Sequence, residues 1–445
     1  QISGEALWGQ ILQDAKTAAD MMPSTVTDRG NGHVDKYCAE ALLGRAYLFY
    51  SGFYGDEEVT LPNGETLTKA DVQAAITDCV NNSGYSLVPE YHNLWSYTNR
   101  VTVEDELSPW KGKGYEYVNN DRGVNPEAMF IIKFNTQPSW STTIGYSNQA
   151  ALFCGVRGQS SDADHFPFGT GWGMCPVSPA LVADWKATEP NDPRLDASII
   201  SVDKWNYKYG GDSNIQETGY YLTKCMPVVA RKGDSNDFWK SYVNEMYPGL
   251  VWSSGNEDNM QLNLIDDLVM IRFAEVLLMD AELSGNQASF DAVRARAGVD
   301  ALATVTFQDI WKERRLELAG EGDRWYDYVR LAYYDKQAAM DDLKSQKMNS
   351  VYNYEQACKN YWYTGCGGTL ENAPEDLTAF DPTKAEWKTN FENEVKYNED
   401  DPARSTYVNE TIFTLPLPSE DVVFNPHLLE PAQPIDVRAE YAYNF

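Results

Sequence analysis

The stretch RFAEVLLMDAELSGNQASFDAVRARAG, residues 272–298, decides how this chain folds. Apolar positions recur at helical spacing up to Gly285, a polar turn follows, and a second periodic run closes at Gly298, the usual residue just past a helix end. That is a helix pair. An earlier stretch repeats it: AEALLGRAYL (39–48) and AEVLLMDAEL (274–283) share Ala, Glu, Leu, Leu, Ala and Leu. Glycine follows both, at Gly52 and Gly285. The first copy carries Leu43, Gly44 and Tyr47, the L-G-x-x-Y core of a tetratricopeptide first helix, and its partner helix is expected from Thr68 towards Pro89. The second copy's partner is expected over 289–297, with Val293 and Ala297 on one face.

Working outward, residues 5–22 place Leu7, Ile11, Ala15, Ala18 and Met22 near helical spacing. Residues 34–50 do the same with Tyr37, Ala41, Leu42, Leu48 and Phe49. Helical patterns return over 70–82 and dominate 264–345. The middle, 95–260, is rich in Gly, Pro, Asn and Asp, with a strand-like run at 128–134 and a helix-like piece at 179–185. Three regions follow: 1–94, repeat helices; 95–260, a loop-rich face; 261–445, repeat helices and a closing segment.

Composition narrows the partners. The 445 residues hold 36 Lys and Arg against 66 Asp and Glu, a formal charge of −30, which repels nucleic acid and anionic membranes. The apolar stretch 262–283 is interrupted by Asp266, Asp267, Arg272, Asp280 and Glu282, so it cannot span a bilayer. Seven cysteines include no C-x-x-C pair, and Cys358 and Cys366 are the only close pair.

Catalytic signatures are missing. The four histidines stand far apart, and no nucleophile elbow or P-loop occurs. GTGWGM (169–174) imitates a phosphate loop but lacks the third spaced glycine, the lysine and the helix start. Asp162-x-Asp164 and the acidic run 56–58 read as solvated loops rather than as a Ca²⁺ site. No metal or other cofactor is expected. In ERRLELAGEGDRWYDYVR (313–330), Thr306 caps the preceding turn with Asp309, and Arg314 points inward, where Glu275 is its candidate structural partner.

These motifs carry a resemblance. Residues 272–298 followed by IWKERRLELAGEGDRWYDYVRL (310–331) resemble the C-terminal core of the SusD/RagB family of outer-membrane nutrient-binding lipoproteins. In order before them, HVDKYCAEALLGRAYLFYSGFYG, NPEAMFIIKF and GWGMCPVSPALVADWKATEPNDPRLDASI resemble its early repeat helix, its Asn-Pro-Glu strand and its Gly-Trp to Asp-Pro-Arg segment. LPLPSEDVVFNPHL (415–428) is similar to its proline-rich close, whereas LEPAQP (429–434) departs from the family's usual ending.

The resemblance implies a mainly α fold: a tetratricopeptide-like helical-pair scaffold with a large loop-rich insertion carrying short strands. It implies a non-catalytic, surface-exposed protein that binds oligosaccharide and partners a SusC-like TonB-dependent transporter. It also implies earlier repeat helices and an N-terminal lipid anchor ahead of Gln1. A peptide-binding relative and a helix-rich glycoside hydrolase are the alternatives.

A sugar site needs aromatic platforms with polar rims. Eight of the 13 tryptophans fall between Trp95 and Trp252. The candidate platforms are Trp140, Trp172, Trp205, Tyr207, Trp239 and Trp252; the candidate rim is Asn206, Asp234 and Asn236. Core packing competes for each aromatic, and the Gly-Trp motif at Trp172 has a structural reading of its own.

Overall fold

A computed structural model describes residues 4–25, 29–120, 123–134, 148–156, 162–201, 220–231, 239–250, 264–345, 408–414 and 418–425. Three helices open the described chain: α1 (Glu5–Met21), α2 (Lys36–Tyr54) and α3 (Lys69–Asn82), with the hairpin β1 (Glu58–Thr60) and β2 (Thr66–Thr68) before α3. Short elements fill the middle: α4 (Arg100–Val103), β3 (Ala128–Ile132), α5 (Gln149–Cys154), α6 (Pro179–Thr188), α7 (Pro193–Ser198), β4 (Ile199–Ser201), β5 (Tyr220–Leu222), β6 (Val229–Arg231), β7 (Trp239–Ser241) and α8 (Tyr242–Met246). Strand β8 (Leu268–Arg272) then leads into α9 (Phe273–Ser284), α10 (Gln287–Ala297), α11 (Phe307–Glu317), α12 (Arg324–Tyr334) and α13 (Lys336–Ser345). All four strand pairs, β1–β2, β3–β8, β4–β5 and β6–β7, are antiparallel. This is the mainly helical scaffold with a strand-bearing, loop-rich middle that the sequence implies.

The two sequence copies lie on α2 and α9, and both are buried nearly all round. They form one core with α3 and α10, built on Leu43, Tyr47, Ile76, Leu278, Phe290 and Val293. Gly44 explains its place in the motif, since a Cβ there would stand 2.5 Å from Ile76 Cδ1. Only a residue without a side chain lets α2 and α3 approach so closely. Tyr47 fixes the far end by donating its hydroxyl to the Glu57 carbonyl at 2.7 Å.

Three expectations shift. The partner of the first copy ends at Asn82 and does not run on towards Pro89, with Gly84 just beyond at φ 72°. The partner of the second begins at Gln287, because Asn286 caps it by accepting from the Ala288 N–H. On α1 the buried face is Gly9, Leu12, Ala15 and Ala19, so Leu7 and Ile11 of the expected stripe are exposed. The capping box of Thr306 and Asp309 opens α11 as read.

A second layer of order is ionic. Arg314 is buried, and its Nη2 lies 3.8 Å from Glu275 Oε1. Each has a nearer partner: Arg45 Nε donates to Glu275 at 2.9 Å, and Arg314 Nε to Asp327 at 3.1 Å. Beside this pair lies a larger cluster. Glu317, fully buried, accepts from Arg194 at 2.8 Å, from Arg272 at 2.5 Å and from Arg296. Arg194 also bonds Asp192 and Glu313, while Glu127 accepts from Arg272 at 2.8 Å and Arg296 at 3.0 Å. Burial would raise the Glu317 pKa, but Arg296, Arg272 and Arg194 together hold it well below the usual carboxylate range.

Glu317→Gln keeps the volume and removes the charge that three guanidiniums share. A buried ion pair broken on one side costs about 3–5 kcal/mol, so urea unfolding of the variant should show a loss of that size. A loss below about 1 kcal/mol would show that the cluster does not hold these segments together.

Candidate ligand-binding face

Trp172 owes its position to main-chain bonds. The segment 169–174 is zipped along the end of α5: Gly171 N–H donates to Val156 at 2.8 Å, Trp172 to Leu152 at 3.0 Å, Gly173 to Gly155 at 2.9 Å and Met174 to Phe153 at 2.8 Å. Contact is closest at the glycines, where a Cβ on Gly171 would stand 2.3 Å from the Leu152 carbonyl oxygen. The glycines of this phosphate-loop imitation therefore serve backbone packing. They leave the Trp172 ring 42% exposed, edge-on to Phe153 with centroids 5.2 Å apart.

Phe153 also borders a cavity of about 330 Å³ walled by Trp95, Ser96, Tyr117, Asn119, Asn148 and Asp266. A neighbouring cavity of about 290 Å³ shares Tyr117, Asn119, Asp266 and Asp267 and adds Tyr242, Tyr247 and Lys133. Small-ligand sites begin near this size. Asp267 and Lys133 pair at 2.8 Å. Asp266 accepts from the Tyr242 hydroxyl, and its main-chain oxygen accepts from Asn148 Nδ2 at 2.9 Å. Two polar atoms on these walls, Asn119 Oδ1 and the Tyr247 hydroxyl, are buried and have no hydrogen-bond partner among the described residues. Burial pushes the Asp266 carboxyl up to about 6 against the donations from Tyr242 and Ser96. The face combines aromatic surface with acceptors and hydroxyls, a set that suits a ligand rich in both C–H faces and hydroxyl groups.

Comparison with known proteins agrees with this architecture. The SusD family model matches residues 183–432, more than half of the chain. The chain belongs to the SusD family. A SusD-like protein of Bacteroides ovatus is 25% identical over 95% of this chain and 65% of its own length. SusD-like protein P2 of Formosa agariphila is 26% identical over 72% of this chain and 55% of its own length. This SusD-family chain thus spans less than two thirds of either relative. Among solved structures, a laminarin-binding SusD-like protein superposes with a TM-score of 0.52 at 26% identity, covering 76% of this chain and 63% of that one. A structure with bound xylogluco-oligosaccharide reaches 0.56 at 17% identity, over 97% and 73%, and shares the fold.

Within this SusD fold the sequence candidates part company. Trp172 alone among the aromatics has a described side chain, and it is at the surface. Trp239 lies in β7 and only its backbone is described. Trp140, Trp205, Tyr207, Trp252, Asn206, Asp234 and Asn236 lie outside the described residues, as do Cys358 and Cys366. Part of the tryptophan enrichment is core: Trp95, Trp110 and Trp185 are buried, and Trp185 donates its indole N–H to Asp192 at 2.9 Å. Tyr117, Asn119, Tyr242 and Tyr247 were not singled out by sequence reading. Asp266 and Asp267 had left a signal, since both interrupt the most apolar stretch of the chain. Among the described residues no group of three or more His, Cys, Asp or Glu is placed to hold a metal ion.

A carboxyl whose folded pKa lies above its ordinary value favours the folded state when protonated, and that stability is lost as pH rises through about 6. Asp266→Asn resembles the protonated form and still accepts from Tyr242. It should melt above the wild type at pH 8, by an equivalent of ~3 kcal/mol, with the gap closing below pH 4. A gap independent of pH would refute the assignment.

Proposed function

We propose that the chain is a non-catalytic glycan-binding subunit of a SusCD-type uptake complex, held at the outer-membrane surface by an N-terminal lipid and partnered by a SusC-like TonB-dependent transporter. The observation that carries the binding reading is the exposed Trp172 ring, backed by Phe153, which lines one cavity with Trp95, Tyr117 and Asp266. Aromatic faces stack on sugar C–H surfaces while carboxylate, amide and phenol groups meet the hydroxyls. The laminarin-binding relative supports the same ligand class.

Several features favour binding over hydrolysis. A glycosidase needs two carboxyl groups flanking the scissile bond, one to donate a proton and one to attack or activate water. Asp266 and Asp267 are chain neighbours, and each already has a strong partner, in Tyr242 and Lys133. For the transporter reading, the helical side offers a groove of about 400 Å³ lined by Trp8, Ile11, Leu42, Phe49, Met270 and Tyr326. Leu42 and Tyr326 are 47% and 59% exposed, and an apolar surface of this kind marks a partner site. Among the described residues no helix is long and apolar enough to cross a membrane.

The charge of −30 and the Asp266 carboxyl that lines both cavities favour neutral oligosaccharides over uronate-rich ones. Affinity electrophoresis should therefore show retardation by a neutral β-glucan and none by polygalacturonate, with no new reducing ends after prolonged incubation. Release of short sugars would sink the binding reading, and retention of peptides alone would favour the peptide-binding relatives. Trp172→Ala should weaken glycan binding about 3- to 10-fold, the equivalent of one aromatic contact. Its melting temperature should stay near wild type because the ring is at the surface. Unchanged affinity would remove Trp172 from the site.

A further inference from the structure

Three cysteines from three separate segments meet beneath the Trp172 shelf. Cys154 ends α5, Cys175 follows the Gly-Trp segment, and Cys225 closes the turn after β5. All three line the same 330 Å³ cavity. Cys154 is buried in the core of the loop-rich region, and Cys175 and Cys225 pack against that core from less buried positions. All three are free thiols in the structure. Main-chain bonds from Met174 to Phe153 and from Gly173 to Gly155 hold 173–175 alongside 153–155. These bonds join the residues on either side of Cys154 to the two residues that precede Cys175, and a disulfide needs Cα atoms roughly 4.4–6.8 Å apart.

The other described thiols differ in kind. Cys38 donates to the Met129 carbonyl at 3.0 Å, and Cys79 lies 3.7 Å from the Tyr37 carbonyl. Both are buried in the helical core, and burial pushes both thiols up, Cys38 to about 11, which keeps them protonated and inert.

We propose that Cys154, Cys175 and Cys225 form a redox site in which Cys154 and Cys175 close a disulfide under the Trp172 shelf, with Cys225 left as a free thiol. Donation from Cys154 lowers the Cys175 thiol below its ordinary range, so Cys175 is the attacking group. The oxidant is a disulfide of the thiol–disulfide exchange class. The Cys175 thiolate attacks one of its sulfurs, forming a mixed disulfide and expelling the first thiolate. Cys154 sulfur then attacks Cys175 Sγ, its proton passing to the second leaving thiolate. Two protein thiols are oxidised and one external disulfide is reduced to two thiols. The closed bond ties the Gly-Trp segment covalently to the helix that carries Phe153, fixing the two rings relative to one another.

The test uses the full chain incubated with oxidised glutathione or with dithiothreitol, alkylated in denaturant and mapped without reduction. The expected product is a linked peptide pair carrying Cys154 and Cys175, two hydrogens lighter than the free peptides together, with Cys225 alkylated. Dithiothreitol should abolish it, Cys175→Ser should remove it, and Cys225→Ser should retain it. Full alkylation of all three after glutathione treatment, a link from Cys154 or Cys175 to any other cysteine, or loss of the link in Cys225→Ser would overturn the proposal. These outcomes are independent of whether any glycan binds.

Discussion

Glu317 carries one buried negative charge into contact with three guanidiniums, and the segments that supply them are remote in sequence. Arg194 comes from the Asp-Pro-Arg turn, Arg272 from the end of β8, and Arg296 from the last turn of α10. Removing such groups from water is costly, and only a geometry that pairs every charge can offset it. Glu127 from the Asn-Pro-Glu turn, Glu313 from α11 and Glu321 beyond it complete the set by accepting from Arg272, Arg194, Arg294 and Arg296. Hydrophobic contacts tolerate many arrangements of helices. A cluster of this kind tolerates few, because a shifted segment strands a buried charge.

That constraint accounts for the ordered motifs. Asn-Pro-Glu, Asp-Pro-Arg, Arg-Phe-Ala-Glu, Arg-Ala-Arg-Ala-Gly and Glu-Arg-Arg-Leu-Glu-Leu are far apart in the chain, and each sends at least one charged side chain into the same cluster or the adjoining Glu275–Arg314–Asp327 set. The cluster also links the helical scaffold to the loop-rich region. Lys224, two residues beyond β5, reaches Glu321 at 2.7 Å and the Glu317 carbonyl at 3.0 Å, and Glu321 borders the cavity that Phe153 overlooks. The walls of that cavity are thereby tied to the ionic core, the kind of support that sites on loops generally require.

How far the sequence discloses this depends on the range of each interaction. Local rules sufficed for α9, for α11 and for the end of α10, where helical period, Gly285, Gly298 and the Thr306 cap lie within a few residues of what they determine, while the start of α10 was set by Asn286. The inward turn of Arg314 was legible from its helix face. Its nearest partner was not, because 66 carboxylates offered candidates and only the packing of α12 against α11 selects Asp327 over Glu275. The face of α1 was misplaced for a related reason: Leu7 and Ile11 are apolar, but the surface that buries α1 is set by β1 and α2, which sequence period cannot locate. Tryptophan enrichment likewise summed two populations. Trp95, Trp110 and Trp185 hold the loop-rich core, and Trp172 faces outward, a distinction that depends on which main chain lies behind each ring.

The Trp172 platform shows why such a division of labour suits a binding surface. Its segment is held by four main-chain hydrogen bonds and by the absence of side chains at Gly155 and Gly171, and its ring lies edge-on to Phe153. A methyl group at Gly171 would collide with the Leu152 carbonyl and lift the whole segment. Trp172 thus sits on a backbone frame that its own side chain does not build. Acidic residues follow the same logic: those that hold the fold are buried and paired with arginine, and the surplus that gives the chain its charge of −30 is free to lie at the surface, where it repels anions while leaving neutral hydroxyl-rich ligands indifferent.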